Sequence, residues 1–329
     1  MRVMISLAAV CVLFALGWLG AMLGLEYLFG VVIPCLAIVL FLGGMVYRVM
    51  SWANVPVPFR IPTTCGQQKS LPWIEQQKFE NPDTTLGVLG RMALEILLFR
   101  SLLRNTKTEL VDGRRLLYGS ALLLWLGALA MHWSLLIILI RHVRFFTAPV
   151  PYCITLMQQA EGIHEIGLPV FYVTSFVFVA ALAYLLARRL TSPQLRYISL
   201  ANDYFPLFLL LGIGLSGILM RHVLRTDVEA VKELAMGWVT FAPTVPAGLT
   251  PLFFGHLMLA CTLLAYLPFS KLCHVGGVFL SPTRNLANTN RTCRHINPWN
   301  YPVKVHSYED YEDELRDKLK AAGLPVEKE

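Results

Sequence analysis

Six long apolar segments constrain this chain more than any other feature of its sequence. Each runs for about 20 residues with few or no charges, which is the length that an α-helix needs to cross a bilayer. The segments occupy residues 3–24, 28–47, 116–140, 166–187, 204–220 and 252–270. Because backbone polar groups must be satisfied internally in lipid, the sequence predicts an all-α integral membrane protein with about six transmembrane helices.

The composition agrees with a membrane protein. Of the 329 residues, 56% are hydrophobic and 15% are charged, and the mean hydropathy is +0.56; soluble domains rarely reach such values. The first segment follows Arg2 and could be a cleaved signal peptide. Its length, the lack of an evident small-residue cleavage site and the closely following second segment favour an uncleaved transmembrane hairpin.

Basic residues are distributed unequally between the two sides of this topology. One side, formed by residues 1–2, 48–115, 188–203 and 271–329, carries 23 of the 28 lysines and arginines. Positively charged loops stay on the cytoplasmic side, so both termini are expected in the cytoplasm and the chain in the cell membrane. This topology explains the net charge of +7 and leaves nucleic-acid binding as a weak alternative.

The apolar segments divide the chain into four expected regions. These are an N-terminal transmembrane hairpin (1–47), a cytoplasmic loop (48–115), a four-span core (116–275) and a cytoplasmic tail (276–329). Within the loop, the stretch TTLGVLGRMALEILLFRSLLRN carries Arg91, Glu95, Arg100 and Arg104 among leucines, which predicts an amphipathic helix at the membrane interface. The tail ends in YEDYEDELRDKLKAAG, which predicts a short exposed helix.

Two of the predicted spans carry two histidines each. His132 and His142 lie ten residues apart on the third span, and His256 and His274 lie eighteen apart at the two ends of the sixth. An ionisable group at membrane depth is costly and needs a partner. A helix–helix hydrogen bond can satisfy a single imidazole, but two on each of two helices indicate ligands to haem iron, which takes two axial ligands.

The opposite directions of the third and sixth spans predict which histidines pair. His132 should face His274 on the cytoplasmic side, and His142 should face His256 on the outer side, so that two haems are stacked across the membrane. Eighteen residues are five helical turns, which places His256 and His274 on one face. Their rise of roughly 27 Å exceeds the roughly 15 Å between the other two, so helix crossing, ring tilt and a kink at Pro268 are expected to absorb the difference.

These features resemble a known family. The histidine spacings and the segment NDYFPLFLLLGIGLSGILMRH resemble the respiratory nitrate reductase gamma-subunit family of dihaem cytochromes b, over about 115–275. The stretch IPTTCGQQKSLPWIE and the extra N-terminal hairpin resemble the DsrM-type membrane cytochromes of the Dsr complexes of sulfur-metabolising prokaryotes. The resemblance implies a dihaem four-helix bundle formed by the last four spans, two b-type haems and menaquinone as substrate.

The resemblance also implies partners and a role. The chain would be an electron-transfer subunit of a menaquinol oxidoreductase complex in dissimilatory sulfur metabolism. Its electrons would pass to or from a cytoplasmic iron–sulfur subunit of the DsrK type, related to heterodisulfide reductase. Other membrane and periplasmic Dsr subunits would complete the complex.

Further polar residues near the outer surface are candidates for contacts with haem or quinone. Arg141 and Arg144 flank His142 and could pair with haem propionates, or they could anchor the helix end at the interface. A quinol must lose protons when it is oxidised, and histidine or carboxylate side chains suit that task. The candidates are Glu161, His164, Glu165 and His222, with an ordinary polar loop and a helix cap as the alternatives.

The seven cysteines contain no CxxC pair, and only Cys153 falls on the outer side, which argues against a disulfide framework. Cys65 in the cytoplasmic loop is a candidate contact with a cluster of the partner, although a lone cysteine is more often inert.

A function from another class stays open. The chain could be a transporter or a scaffold without haem, whose histidines serve proton relay or packing.

Overall fold

The computed structural model of the chain describes residues 1–55, 66–113, 115–163, 170–289 and 306–328. Six helices in these residues are long and apolar enough to cross a membrane, which confirms the predicted spans. They are α1 (Arg2–Met22), α2 (Ile33–Ala53, preceded by a π-helical turn Leu28–Val32), α5 (Leu122–His142), α7 (Val173–Thr191), α9 (Ala201–His222) and α11 (Pro251–Tyr266).

Shorter elements connect these spans. Between α2 and α5 lie α3 (Thr85–Leu98), α4 (Arg100–Leu103), β1 (Thr106–Val111) and β2 (Arg115–Ser120). Between α5 and α11 lie α6 (Tyr152–Glu161), β3 (Gly162–Ile163), β4 (Phe171–Tyr172), α8 (Pro193–Ile198) and α10 (Val228–Val239). After α11 come α12 (His274–Gly277), α13 (Pro282–Asn285) and α14 (Tyr308–Ala321).

Two antiparallel pairs of strands, β1 with β2 and β3 with β4, accompany the helices. The pair β1–β2 occupies the start of the predicted third span, so α5 begins at Leu122 and not at residue 116. The turn contains Asp112 and Gly113 with φ of 53° and 66°, a conformation that Asp and Gly adopt more readily than other residues. The apolar residues LLYGS extend the hydrophobic stretch of the third span, so hydropathy alone does not distinguish this strand from the helix that follows it.

Helix α11 lies at the centre of the bundle. Helices α1, α2 and α9 all pack along it, and α1 also packs along α9. The two helices of the predicted N-terminal hairpin therefore both pack against α11. In the described residues, α1 and α2 do not pack extensively on each other. A Cβ atom on Gly17 would lie 2.5 Å from the carbonyl oxygen of Phe254, so glycine is what permits the close approach of α1 and α11.

The sixth span is broken near its C-terminal end. Leu267–Phe269 forms a 3₁₀ turn that contains Pro268, and a second turn, Lys271–Cys273, precedes α12. Proline lacks the N–H that a continuing helix needs. The carbonyl of Pro268 instead accepts a hydrogen bond from Nε of Arg48 at 3.0 Å. The expected kink is present, but His256 and His274 do not lie on one continuous helix, so the five-turn arithmetic was wrong.

The described part of the loop between α2 and α5 is folded. Its amphipathic helix is α3, which Thr84 caps by accepting a hydrogen bond from the N–H of Gly87. The backbone N–H of Asn288 donates to the carbonyl of Pro82 at 2.7 Å, and its side chain donates to Asn81. These buried amides attach the start of the tail to the loop.

The predicted tail helix is present as α14. Ser307 and Asp310 form a capping box at its start. Glu312 is buried, and its carboxylate accepts hydrogen bonds from the backbone N–H groups of Glu327 and Lys328, which hold the pKa of Glu312 below its usual value. The chain end therefore folds back onto this helix.

Candidate functional site

The structure brings two of the four candidate histidines together. His132 and His142 lie on α5, His256 lies on α11, and His274 begins α12. The ring centres of His132 and His274 are 6.0 Å apart and their planes meet at 75°. The other two candidates, His142 and His256, lie at the end of α5 and near the start of α11.

Three of the four imidazoles share one hydrogen-bonding arrangement. The Nδ1 atoms of His132, His142 and His274 each contact a backbone carbonyl. The acceptors are Ala128, Ile138 and Lys271, at 2.8, 2.7 and 2.8 Å. A carbonyl oxygen only accepts hydrogen bonds, so Nδ1 is the donor, and in the neutral imidazole Nε2 then keeps its lone pair.

The fourth imidazole reaches the same state through a serine on a neighbouring helix. Nδ1 of His256 lies 2.8 Å from Oγ of Ser216, and that hydroxyl donates to the carbonyl of Gly212 at 2.6 Å. Since the hydroxyl has a single proton, its oxygen accepts from Nδ1–H of His256. Among the described residues, none of the four Nε2 atoms has a hydrogen-bond partner.

The helices that carry these residues stand apart. Helix α5 packs along α7, α7 along α9 and α9 along α11, whereas α5 and α11 make no extensive backbone contact in the described part of the chain. The two helices that carry the candidate histidines are therefore not packed directly along each other in this part of the chain.

The donor set fits haem. A histidine nitrogen lies about 2 Å from a bound metal, so two imidazoles on opposite sides of one iron have ring centres roughly 6 Å apart. The separation of His132 and His274 matches this value. The described residues contain no group of three or more histidine, cysteine, aspartate or glutamate side chains that could hold a bare metal ion. Haem needs only a pair from the protein.

A second cluster of polar side chains lies at the C-terminal end of α5. Arg141 is buried, and its Nη1 atom forms an ion pair with Oε1 of Glu161 at 3.0 Å. Its Nη2 atom donates to Oγ of Ser175 at 3.0 Å, and the hydroxyl of Thr174 donates to the carboxylate of Glu161. The guanidinium of Arg141 is therefore committed to protein partners.

Aromatic rings extend this cluster. The guanidinium carbons of Arg141 and Arg221 lie 4.1 and 4.4 Å from the centre of the Tyr172 ring. His222 stacks on Phe171, with ring centres 4.3 Å apart and planes at 12°. These contacts attach the β3–β4 pair to the ends of α5 and α9. Sequence reasoning named Arg141 and His222 but missed Tyr172, because only the folded chain places it between two arginines.

The remaining candidates are distributed as follows. The guanidinium of Arg144 lies 5.9 Å from the ring of Phe145, whose own centre is 5.8 Å from that of His142. Cys65, His164 and Glu165 lie outside the described residues. Ser216 was also missed, although a lone serine in the apolar run GIGLSGILM is the signal that could have identified it.

Comparison with known proteins identifies the family. The model of the nitrate reductase gamma subunit family matches residues 97–294, which is more than half of the chain. The chain belongs to this family. The resemblance inferred from the histidine spacings is therefore confirmed, and with its six spans this family member is a multi-pass membrane protein.

Two relatives extend the similarity beyond the family region. Both are named Hdr-like menaquinol oxidoreductase cytochrome b-like subunit, and they come from Archaeoglobus fulgidus and Archaeoglobus profundus. The first is 46% identical over 279 residues, which cover 83% of each chain. The second is 38% identical over 274 residues, which cover 81% of each chain.

Proposed function

We propose that this chain is a dihaem membrane cytochrome b that passes electrons between menaquinol and a cytoplasmic iron–sulfur subunit related to heterodisulfide reductase. One observation supports the proposal: four imidazoles on α5, α11 and α12 each direct Nδ1 to an oxygen acceptor, and the rings of His132 and His274 lie 6.0 Å apart. The names of the two relatives support the menaquinol and the partner.

The proposed axial ligands are His132 with His274 for an inner haem, and His142 with His256 for an outer haem. Bound haem supplies one-electron transfer through its iron. The chain holds each imidazole in the tautomer that ligation requires, through backbone carbonyls and Ser216. The sequence has no CxxCH motif for covalent attachment, so the haems are of b type.

We assign the propionate contact to Arg144 and not to Arg141. Arg141 immediately precedes His142, and Arg144 lies two residues after it. The guanidinium of Arg141 is held by Glu161, Ser175 and the ring of Tyr172. Arg144 is half-buried and makes a looser ring contact, so its planar fork is free to match a carboxylate.

The proposed quinol site lies at the outer haem, near the β3–β4 pair. Glu161 immediately precedes β3, and the candidates His164 and Glu165 follow that strand in the sequence; His222 packs on β4. Histidine and carboxylate side chains here would accept the protons of menaquinol. If protons leave outside while electrons move inward, the charge separation corresponds to about 2.3 kcal/mol per charge per 100 mV.

The partner would dock on the cytoplasmic side. We place both termini, the α3–β2 region and the tail on that side of the cell membrane, because 23 of the 28 basic residues are there. Cys65 is proposed to lie near a cluster of the docked subunit. A role in dissimilatory sulfur metabolism, with further Dsr-type subunits, follows from the same resemblance.

A haem assay tests the proposal against the alternative of a transporter or scaffold. The purified chain should show a b-type α band after dithionite reduction and about two haems per chain by pyridine haemochrome analysis. A menaquinol analogue should reduce both haems. A preparation with no b-type band after haem-supplemented expression would contradict the proposal and favour a proton-relay or packing role for the histidines.

Loss of the Ser216 hydroxyl is expected to weaken the outer haem selectively. In Ser216→Ala, Nδ1 of His256 loses its acceptor on α9, and removing the hydrogen-bond partner of a metal-ligating histidine typically costs about 10–100-fold in affinity. Haem titration of the purified variant should show one weakened site and one unchanged site. Ser134→Ala is the matched control, because Ser134 on α5 donates to the carbonyl of Ala130 and contacts no candidate ligand. Equal weakening in both variants would contradict the assignment.

A further inference from the structure

We propose that the turn between α3 and α4 covers the inner histidine pair, and that Phe99 in this turn sets the midpoint potential of the haem held there. The inference rests on the proposed function, because it concerns residues around a proposed haem. It assigns a positioning role to a residue in the loop before the core spans. It also identifies Phe99 as the residue through which the proposed cytoplasmic loop contacts the proposed route of the electrons.

Phe99 contacts the inner pair directly. Its ring centre lies 4.9 Å from that of His132, with the planes at 85°, and the His274 ring lies 6.0 Å from His132. Edge-to-face contacts at this distance are favourable. The phenyl ring therefore lies within the immediate surroundings of a proposed axial ligand.

The backbone at Phe99 is in a costly conformation. Its φ of 49° and ψ of 47° are left-handed, a conformation that brings Cβ of a non-glycine residue too close to the following carbonyl oxygen. Such outliers persist where the surrounding structure determines them, and they cluster at functional sites. Glycine would make this turn without the cost, so the retained phenyl ring points to a role for the side chain.

Two tryptophans of α5 hold the turn in place. Nε1 of Trp125 donates to the carbonyl of Leu98 at 2.7 Å, and Nε1 of Trp133 donates to the carbonyl of Leu97 at 2.9 Å. The last carbonyls of a helix have no partner within that helix. These indole groups satisfy two carbonyls at the end of α3 and fix this end beside His132.

The other side of the turn is attached to the folded loop. The hydroxyl of Ser101 in α4 donates to the carboxylate of Glu95, and Arg100 pairs with the buried carboxylate of Glu80 at 3.2 Å. Arg104 pairs with the same carboxylate. A movement of the loop would therefore be transmitted to the turn and to the ring beside His132.

An apolar cover has a defined effect on a haem. The hydrophobic surroundings of a metal site control solvent access and thereby its redox potential. Water stabilises the more highly charged ferric state, so excluding water raises the midpoint potential. With Phe99 in place, the inner haem should have a higher midpoint potential than it would have without the phenyl ring. It should also be protected from aqueous oxidants.

The Phe99→Gly variant tests the effect of the phenyl ring separately from the backbone conformation of the turn. Glycine removes the backbone strain while deleting the side chain, so the variant should fold and retain both haems. The midpoint potential of the inner haem should fall, and that of the outer haem should not change. Ferricyanide should reoxidise the inner haem faster than in the unaltered chain. In Phe99→Leu, which keeps apolar volume, both values should stay nearer those of the unaltered chain.

A control at the other pair makes the test specific. Phe145 lies 5.8 Å from His142 and is distant in sequence from the turn, so Phe145→Ala should leave the inner potential unchanged. Unchanged potentials in Phe99→Gly, or equal shifts of both haems, would overturn the inference while leaving the proposed function intact. An unaltered chain that binds no haem would overturn both.

Discussion

Replacing one histidine of a pair with alanine is expected to reduce the haem content from about two per chain to about one. An iron with one axial protein ligand left in a b-type site is held far more weakly, because no covalent bond retains the porphyrin. His132→Ala and His274→Ala should lose the same spectral component. His142→Ala and His256→Ala should both lose the other one. Pyridine haemochrome analysis and redox titration of each purified variant provide the measurement.

His306→Ala is the control for this series. His306 is an exposed residue just before α14, so both haems should remain in that variant. A different grouping of the four variants, such as His132 with His256, would contradict the proposed pairing. Loss of both haems in every variant would indicate a folding defect, which far-ultraviolet circular dichroism would reveal.

Replacing Glu161 with alanine is expected to destabilise the bundle at the C-terminal end of α5 by roughly 3–5 kcal/mol, because it leaves a buried guanidinium without its counter-charge. The side chains of Arg141 and Glu161 are only 9% and 11% exposed, so solvent cannot screen the remaining charge. Thermal unfolding in detergent should report the loss. Because Glu161 adjoins the proposed quinol site, reduction of the haems by a menaquinol analogue should also slow.

The double variant Arg141→Met with Glu161→Leu separates the two effects. Apolar replacement of both members of a buried pair is often neutral, so stability should largely return. Quinol-dependent reduction should stay slow if Glu161 has a proton-accepting role. Full recovery of the reduction rate together with stability would remove Glu161 from the quinol site.

Sequence reasoning identified what hydropathy and chemical type can encode. The six spans follow from the requirement that lipid-exposed backbone be hydrogen-bonded internally, and all six are present. Pro268 marked the break in the last span because proline cannot continue a helix. The Nδ1 contacts of His132 and His142 are also local, since each acceptor lies one helical turn earlier.

Some local signals were present but were overridden by hydropathy. Asp112 and Gly113 form a turn that strongly indicates a β-hairpin. Hydropathy nevertheless assigns the apolar strand after this turn to the start of the third span. Hydropathy likewise predicted one continuous helix that contains both His256 and His274. In both cases hydrophobicity identified the composition of a segment but not its secondary structure.

The sequence by itself determined the number of spans, their limits to within several residues and the chemical types available to bind haem. Only the tertiary structure decided which helices are neighbours: α1 and α2 lie around α11, Ser216 meets His256, Arg141 meets Glu161, and Phe99 meets His132. The reason is physical. Lipid tails are as apolar as leucine, so hydrophobicity places a helix in the membrane without selecting its partners. Small residues, polar contacts and turn geometry make that selection.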